Sequence, residues 1–157
     1  MRKFLFVAFL LVAIAIFSCS KEESKETIKI ETHNKPTILI FDSTTCHYCK
    51  KLHNDLENND KLAKLKKSFT IYFIHVNQNR YYILPTKNGT LKLDTGDIAV
   101  TFGFRGSTPF IVFTDKHLKP ILTIPGYLKP DTLSKVFKFI LSKSYETMSL
   151  EQYLSTP

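Results

Sequence analysis

Cys46-His47-Tyr48-Cys49 holds two of the chain's three cysteines. The apolar run Ile38-Leu39-Ile40-Phe41 precedes it, and helical spacing follows, with Cys49, Leu52 and Leu56 along one side. The pair therefore falls at a strand-to-helix turn. Two sulfurs so spaced at a helix start can close a small disulfide. Unpaired N–H groups and the helix dipole there favour thiolate over thiol, and thiolate is the form that attacks disulfides. A purely structural bridge fits poorly, because so short a loop removes little chain entropy.

His47, beside the first sulfur, can assist its ionisation when protonated, or face solvent with little effect. Lys50 and Lys51 add positive potential. His53 lies one helical turn after Cys49. With Cys46 and Cys49 it makes an incomplete ligand set, since no second C-x-x-C supplies a fourth donor. No metal and no other cofactor is expected, and a metal-binding carrier using Cys46, Cys49 and His53 is kept as an alternative. His33, His75 and His117 read as ordinary loop or strand histidines.

The N-terminus is of another kind. Arg2 and Lys3 precede Phe4–Phe17, fourteen consecutive apolar residues. A membrane-spanning helix needs about 20, whereas a secretory signal core needs roughly 7–15 behind a positive start. Residues 1–18 are therefore expected to be a signal peptide. Ile16-Phe17-Ser18-Cys19 resembles a bacterial lipoprotein cleavage box, in which Cys19 becomes the lipidated first residue. Residues 19–35, polar and charged, are expected to be a lipid-anchored tether, with a short edge strand near Thr27–Glu31. Residues 36–157 are expected to form one domain with a full core. The chain carries 22 Lys+Arg against 14 Asp+Glu, a net charge of +8. The lysines are dispersed and no nucleic-acid motif accompanies them, so a solvated basic surface is expected and no nucleic-acid partner.

Within the domain, Thr37–Phe41 and Phe69–Val76 are near-continuous apolar runs of the kind that forms strands buried on both faces. A helix joins them, so they should run parallel. Asn58 and Asn59 interrupt that helix and offer a cap for a further turn or two through Leu62 and Leu65. Residues 77–96 read as a β-hairpin insertion, Tyr81–Leu84 and Thr90–Leu93, with a longer loop over Pro85–Gly89. A short helix over Asp97–Phe102 follows. Pro109–Phe113 and Pro120–Ile124 form an antiparallel pair. Pro130 suits the first turn of a final helix, in which Leu133, Val136, Phe137, Ile140 and Leu141 make one apolar stripe. Residues 146–157 add a short terminal helix through Leu150, Tyr153 and Leu154.

This order resembles the thioredoxin fold: an α/β domain with a mixed central sheet flanked by helices, here with a hairpin-like insertion at about 77–96. Two segments carry the resemblance, Phe41–Cys49 and Phe102–Phe113, within a match over about residues 36–142. With the leader, the chain is similar to exported thioredoxin-like thiol:disulfide interchange lipoproteins of the SoxW-like kind. The resemblance implies that Cys46 is the attacking thiol and Cys49 the resolving one. It implies that Thr108–Pro109 is a cis bond facing them, that His47, Tyr48, Thr108 and Pro109 support the site, and that Gly126 lies beside the substrate groove. It also implies a buried aspartate six residues before the first cysteine, where this chain has Ile40. Asp42 stands too near the turn to be its substitute, and the tryptophan before the first cysteine is Thr45. The large helical insertion of the strong oxidants and the dimerisation domain of the isomerases are missing.

The expected activity is thiol:disulfide oxidoreduction, chiefly reduction of disulfides in exported proteins, with oxidation or isomerisation as the alternative direction. Expected partners are those proteins, a membrane or periplasmic thiol donor, and a membrane reached through the lipid on Cys19. The expected setting is the periplasmic side of a bacterial envelope, with the protein a monomer.

Overall fold

The computed structural model describes residues 25–155. The expected signal peptide, Cys19 and the first part of the expected tether lie outside the described residues.

β-Branched and aromatic runs become strands, and amphipathic segments become helices. In order they are β1 Thr27–Lys29, β2 Thr37–Asp42, α1 His47–Asn58, α2 Asp60–Leu65, β3 Thr70–His75, β4 Tyr81–Thr86, β5 Gly89–Asp94, α3 Thr95–Thr101, β6 Phe110–Thr114, β7 Pro120–Pro125, α4 Pro130–Leu141 and α5 Leu150–Ser155. Asn59 ends α1 and starts α2: its side-chain oxygen accepts from the Lys61 and Leu62 N–H groups. Pro130 occupies the first turn of α4, where its missing N–H is no loss.

The central sheet has the order β3-β2-β6-β7. β2 runs parallel to β3 and antiparallel to β6. Because β2 is covered on both faces, its alternate residues feed two cores. Ile38 and Ile40 pack with Leu52, Leu56, Leu62, Val136 and Phe137 under the helices. Leu39 and Phe41 pack on the other face with Tyr82, Leu84 and Ile98. At about 25 cal/mol per Å² of apolar surface removed from water, these two clusters are the main stabilising term.

The second face is where the structure departs from the sequence reading. The hairpin is not an appendage. β1, β4 and β5 form a sheet of their own, β1-β4-β5, and this sheet with α3 supplies the second core's cover. Its turn is tighter than expected, since Pro85 pairs with Thr90 and Thr86 with Gly89. Pro85 is tolerated in a middle strand because β1 pairs with β4 only from Tyr81 to Ile83, leaving no ladder bond for the proline to break on that side. Residues 25–35, expected in the tether, contribute β1, and Ile30 is buried in the second core. A boundary at residue 36 is therefore too late, because this apolar residue needs the hairpin's cover. Among the described residues no helix is long and apolar enough to cross a membrane.

Candidate functional site

Cys46 is the N-cap of α1, in extended backbone conformation, and its Sγ accepts from the Cys49 N–H at 3.1 Å. Cys46 and Cys49 are joined by a disulfide, with their Cα atoms 5.2 Å apart. The helix turn that follows separates the environments of the two sulfurs. Cys46 is half-buried, while Cys49 is 1% exposed beneath it. On reduction, a thiolate at Cys46 would face the free N–H groups of the first helical turn, the arrangement that stabilises it.

The Cys46 side is lined by backbone. Its Sγ lies 3.5 Å from the Thr108 carbonyl oxygen, and the Thr108–Pro109 bond is cis. The Pro109 carbonyl accepts from the Gly126 N–H at 2.7 Å, tying the start of β6 to the end of β7. Gly126 has φ +91°, and a Cβ there would meet nothing within 4 Å. Glycine is thus suited by backbone conformation rather than by space. Thr108 is brought to Cys46 although it lies more than sixty residues away in sequence, with Pro109 next to it and Gly126 bonded to Pro109.

His47 and Tyr48 are both exposed. His47 meets the edge of Tyr48, and Tyr48 stacks on Tyr127 with ring centroids 5.7 Å apart. Tyr127 donates its hydroxyl proton to Asp55 Oδ2 at 2.6 Å, while Lys51 Nζ lies 5.4 Å from the ring centre. Burial, with the Asp55 carboxylate beside it, pushes the Tyr127 hydroxyl up to about 12. The sequence reading missed this aromatic shelf. Its members come from α1 and the loop after β7, and no spacing rule links them.

The Cys49 side is built differently. Asp42, last in β2, is 2% exposed. His53 Nε2 lies 2.7 Å from its Oδ2, and His75 Nδ1 lies 2.5 Å from its Oδ1. An ionised carboxylate only accepts, so with Asp42 charged both rings donate to it. Asp42 and His75 are register partners at the ends of the parallel pair β2 and β3. His53 is held by stacking on Phe73, with centroids 3.8 Å apart. Asp42, Cys49, Lys50, His53, Glu57 and His75 line one open pocket of about 350 Å³. Ile40, which stands where the resemblance implies an aspartate, is buried among apolar side chains.

Two sequence readings change here. Asp42 was set aside as too near the turn, but β2 continues through it and leaves it buried. His75 was read as ordinary, but strand register sets it against that carboxylate. Two hints were available: an acidic residue closing a buried strand, and a histidine one turn after Cys49. His53, the proposed third ligand of a metal carrier, turns its ring nitrogen to Asp42 rather than to a shared centre with the sulfurs. Among the described residues no group of three or more His, Cys, Asp or Glu is arranged to hold a metal ion.

Paired cysteines at a helix start, one accessible and one buried, form a site for thiol oxidoreduction. Comparisons with known proteins agree with the fold around it. A thioredoxin-fold protein from Helicobacter pylori is 27% identical, with a TM-score of 0.70, over 80% of this chain and 85% of that one. A thioredoxin from Thermus thermophilus matches at 15% identity and TM-score 0.53, over 76% and 89% of the two chains. A mutant thioredoxin from Halobacterium salinarum matches at 17% and 0.50, over 79% and 94%. No curated protein matches the chain. A family model described as a thioredoxin-like domain matches residues 23–141. With the redox pair and its surroundings inside that span, the chain belongs to the thioredoxin-like domain family.

Proposed function

We propose that this protein is an envelope thiol:disulfide oxidoreductase that reduces disulfides of exported proteins. The observation that carries the reading is the asymmetry of the pair. Cys46 sits half-buried at a helix N-cap beside the Thr108 carbonyl, and Cys49 sits buried behind it. Cys46 thiolate attacks a substrate sulfur, giving a mixed disulfide and one released substrate thiol. Cys49 then attacks Cys46 Sγ, the bond to substrate breaks, and the second substrate sulfur leaves reduced. An extended substrate segment can lie along the backbone at Thr108, in the manner of strand addition. The partner is thus a disulfide-bearing chain presented in extended form, with a separate thiol donor restoring the reduced pair.

The envelope setting rests on Arg2, Lys3, the run Phe4–Phe17 and the Ser18-Cys19 junction, with the protein a SoxW-like lipoprotein anchored through Cys19 on the periplasmic side. Cell fractionation tests this. The protein should partition with membranes, and Cys19→Ala should leave a precursor or soluble form. Unchanged processing would refute the anchor.

Redox titration of Cys46–Cys49 in glutathione buffers tests the direction of electron flow. A potential near about −270 mV fits a reductant, and one near about −120 mV an oxidant. The second result would replace reduction by oxidation while leaving the site assignment intact.

A further inference from the structure

The Cys49 side poses a chemical problem that the Cys46 side does not. Cys49 is 1% exposed, yet it must lose a proton before its sulfur can attack. Burial among apolar groups raises the cost of making a thiolate there. Water does not reach the sulfur freely, so the proton needs an acceptor built into the wall beside it. We propose that Asp42, His53 and His75 form that acceptor, a carboxylate held between two imidazoles that takes the Cys49 proton and passes it to solvent. This rests on the disulfide-exchange reading above and deepens it.

The geometry supports the assignment in three ways. First, the cluster and Cys49 line the same pocket. His53 follows Cys49 by one turn on α1, so both project from the same side of that helix. Second, both carboxylate oxygens of Asp42 are taken by different rings, His53 on Oδ2 and His75 on Oδ1. A buried carboxylate so held stays in place without a lysine or arginine partner, and the cluster can share a proton among three groups. Third, the exposure is graded. The Asp42 side chain is 3% exposed, while those of His75 and His53 are 26% and 33%. A proton that enters near Cys49 therefore has an exit through either imidazole.

The step balances. In the mixed disulfide, the Cys49 S–H proton moves to the cluster as its sulfur bonds to Cys46 Sγ. The bond from Cys46 to the substrate sulfur breaks, and its electron pair leaves on the substrate as thiolate. The protein pair is oxidised by two electrons and the substrate disulfide is reduced by two. The cluster then returns its proton to water through His53 or His75. The other charged groups facing the pocket are Lys50 and Glu57, both from α1. Tyr82 on β4 also feels the Asp42 charge.

The test separates the two chemical steps with one probe, the aromatic disulfide 5,5′-dithiobis(2-nitrobenzoate), mixed in stopped flow with the reduced protein. Attack by Cys46 releases the first coloured thiolate, and resolution by Cys49 releases the second. His53→Gln and Asp42→Asn should slow the second release by at least about tenfold at pH 6, within the range a positioned base contributes. That gap should narrow as pH rises toward about 9, where hydroxide increasingly takes the thiol proton without help. The first release should stay within about twofold of wild type. His117→Gln, on the remote β6–β7 turn, should change neither. Should Asp42→Asn fail to fold by circular dichroism, His53→Gln and His75→Gln decide the matter by the same criterion. A second release unchanged by these variants, or slowed equally at every pH, overturns the acceptor and leaves disulfide exchange standing. If the reduced wild type releases no second equivalent and closes no Cys46–Cys49 bond, the exchange reading fails and the acceptor falls with it.

Discussion

The two sulfurs of one disulfide sit in unlike surroundings. Cys46 faces the Thr108 carbonyl, next to the cis Pro109 to which the Gly126 N–H is bonded, and Tyr48, two residues on, stacks on Tyr127. Around Cys49 are a buried carboxylate and two imidazoles. One helical turn separates a half-buried sulfur on a backbone-lined surface from a buried sulfur at the wall of a titratable pocket. The difference matches two tasks. Meeting a foreign chain calls for accessible hydrogen-bonding backbone and apolar shelf. Closing the internal disulfide calls for shielding and a place for a proton.

The sharpest way to break this comparison is to remove each sulfur in turn. Cys46→Ser should drop disulfide exchange to background, whereas Cys49→Ser should accumulate mixed disulfides visible on non-reducing gels. Alkylation of the reduced wild type should label Cys46 first. Preferential labelling of Cys49 would invert the roles.

Next in size is a change that strikes both sides together. Leu52 is fully buried on the inner face of α1, in the core under the helix that carries both cysteines. Leu52→Ala should cost about 2–5 kcal/mol of stability in urea unfolding. Because one helix positions both sulfurs, its loosening should slow both thiolate releases, unlike His53→Gln, which should slow only the second.

A smaller effect is expected at the shelf. Tyr127→Phe removes the hydroxyl that donates to the largely buried Asp55 and should cost about 1–3 kcal/mol at neutral pH. The pH dependence sharpens this. The unfolded tyrosine gives up its proton near 10.0 and the folded one near about 12, so between these values the folded state holds more protons. Stability of the wild type should therefore be full below pH 10 and fall as pH rises toward 12. In Tyr127→Phe that part of the alkaline loss should vanish, measured as urea midpoints at about pH 9 and about pH 11.5.

The smallest effect belongs to Tyr48, which is 57% exposed. Tyr48→Ala should change stability by less than about 0.5 kcal/mol, as surface changes do. It should weaken apparent affinity for a protein disulfide while leaving the rate with a small aromatic disulfide near wild type. Equal losses with both substrates would mean that the shelf supports the site rather than recognises a chain.

Legibility followed the range of each physical signal. The Cys46–Cys49 pair, its strand-to-helix placement, the Asn59 interruption and the Pro130 start of α4 all depend on residues within one or two turns of each other. Thr108, Pro109 and Gly126 were reached only through the family resemblance, because no local rule ties them to a cysteine more than sixty residues earlier. Asp42 was misjudged because burial of the last residue of a strand depends on what its neighbour strand brings, here His75 at the matching register position. Tyr127 gave no signal at all, since a tyrosine after a turn is ordinary until Tyr48 is laid upon it.

Periodicity and capping chemistry thus determined the elements and the redox pair, because hydrophobic spacing and helix-end hydrogen bonds act over a few residues. Tertiary structure decided what each sulfur faces. The parallel register of β2 and β3 set Asp42 against His75, and packing of α1 on the sheet brought His53 to the same carboxylate. The fold of the hairpin sheet decided that Ile30 and Tyr82 are core rather than periphery. Those outcomes follow from strand register and helix packing across the whole domain, in which residues distant in the chain become neighbours only once the sheet has closed.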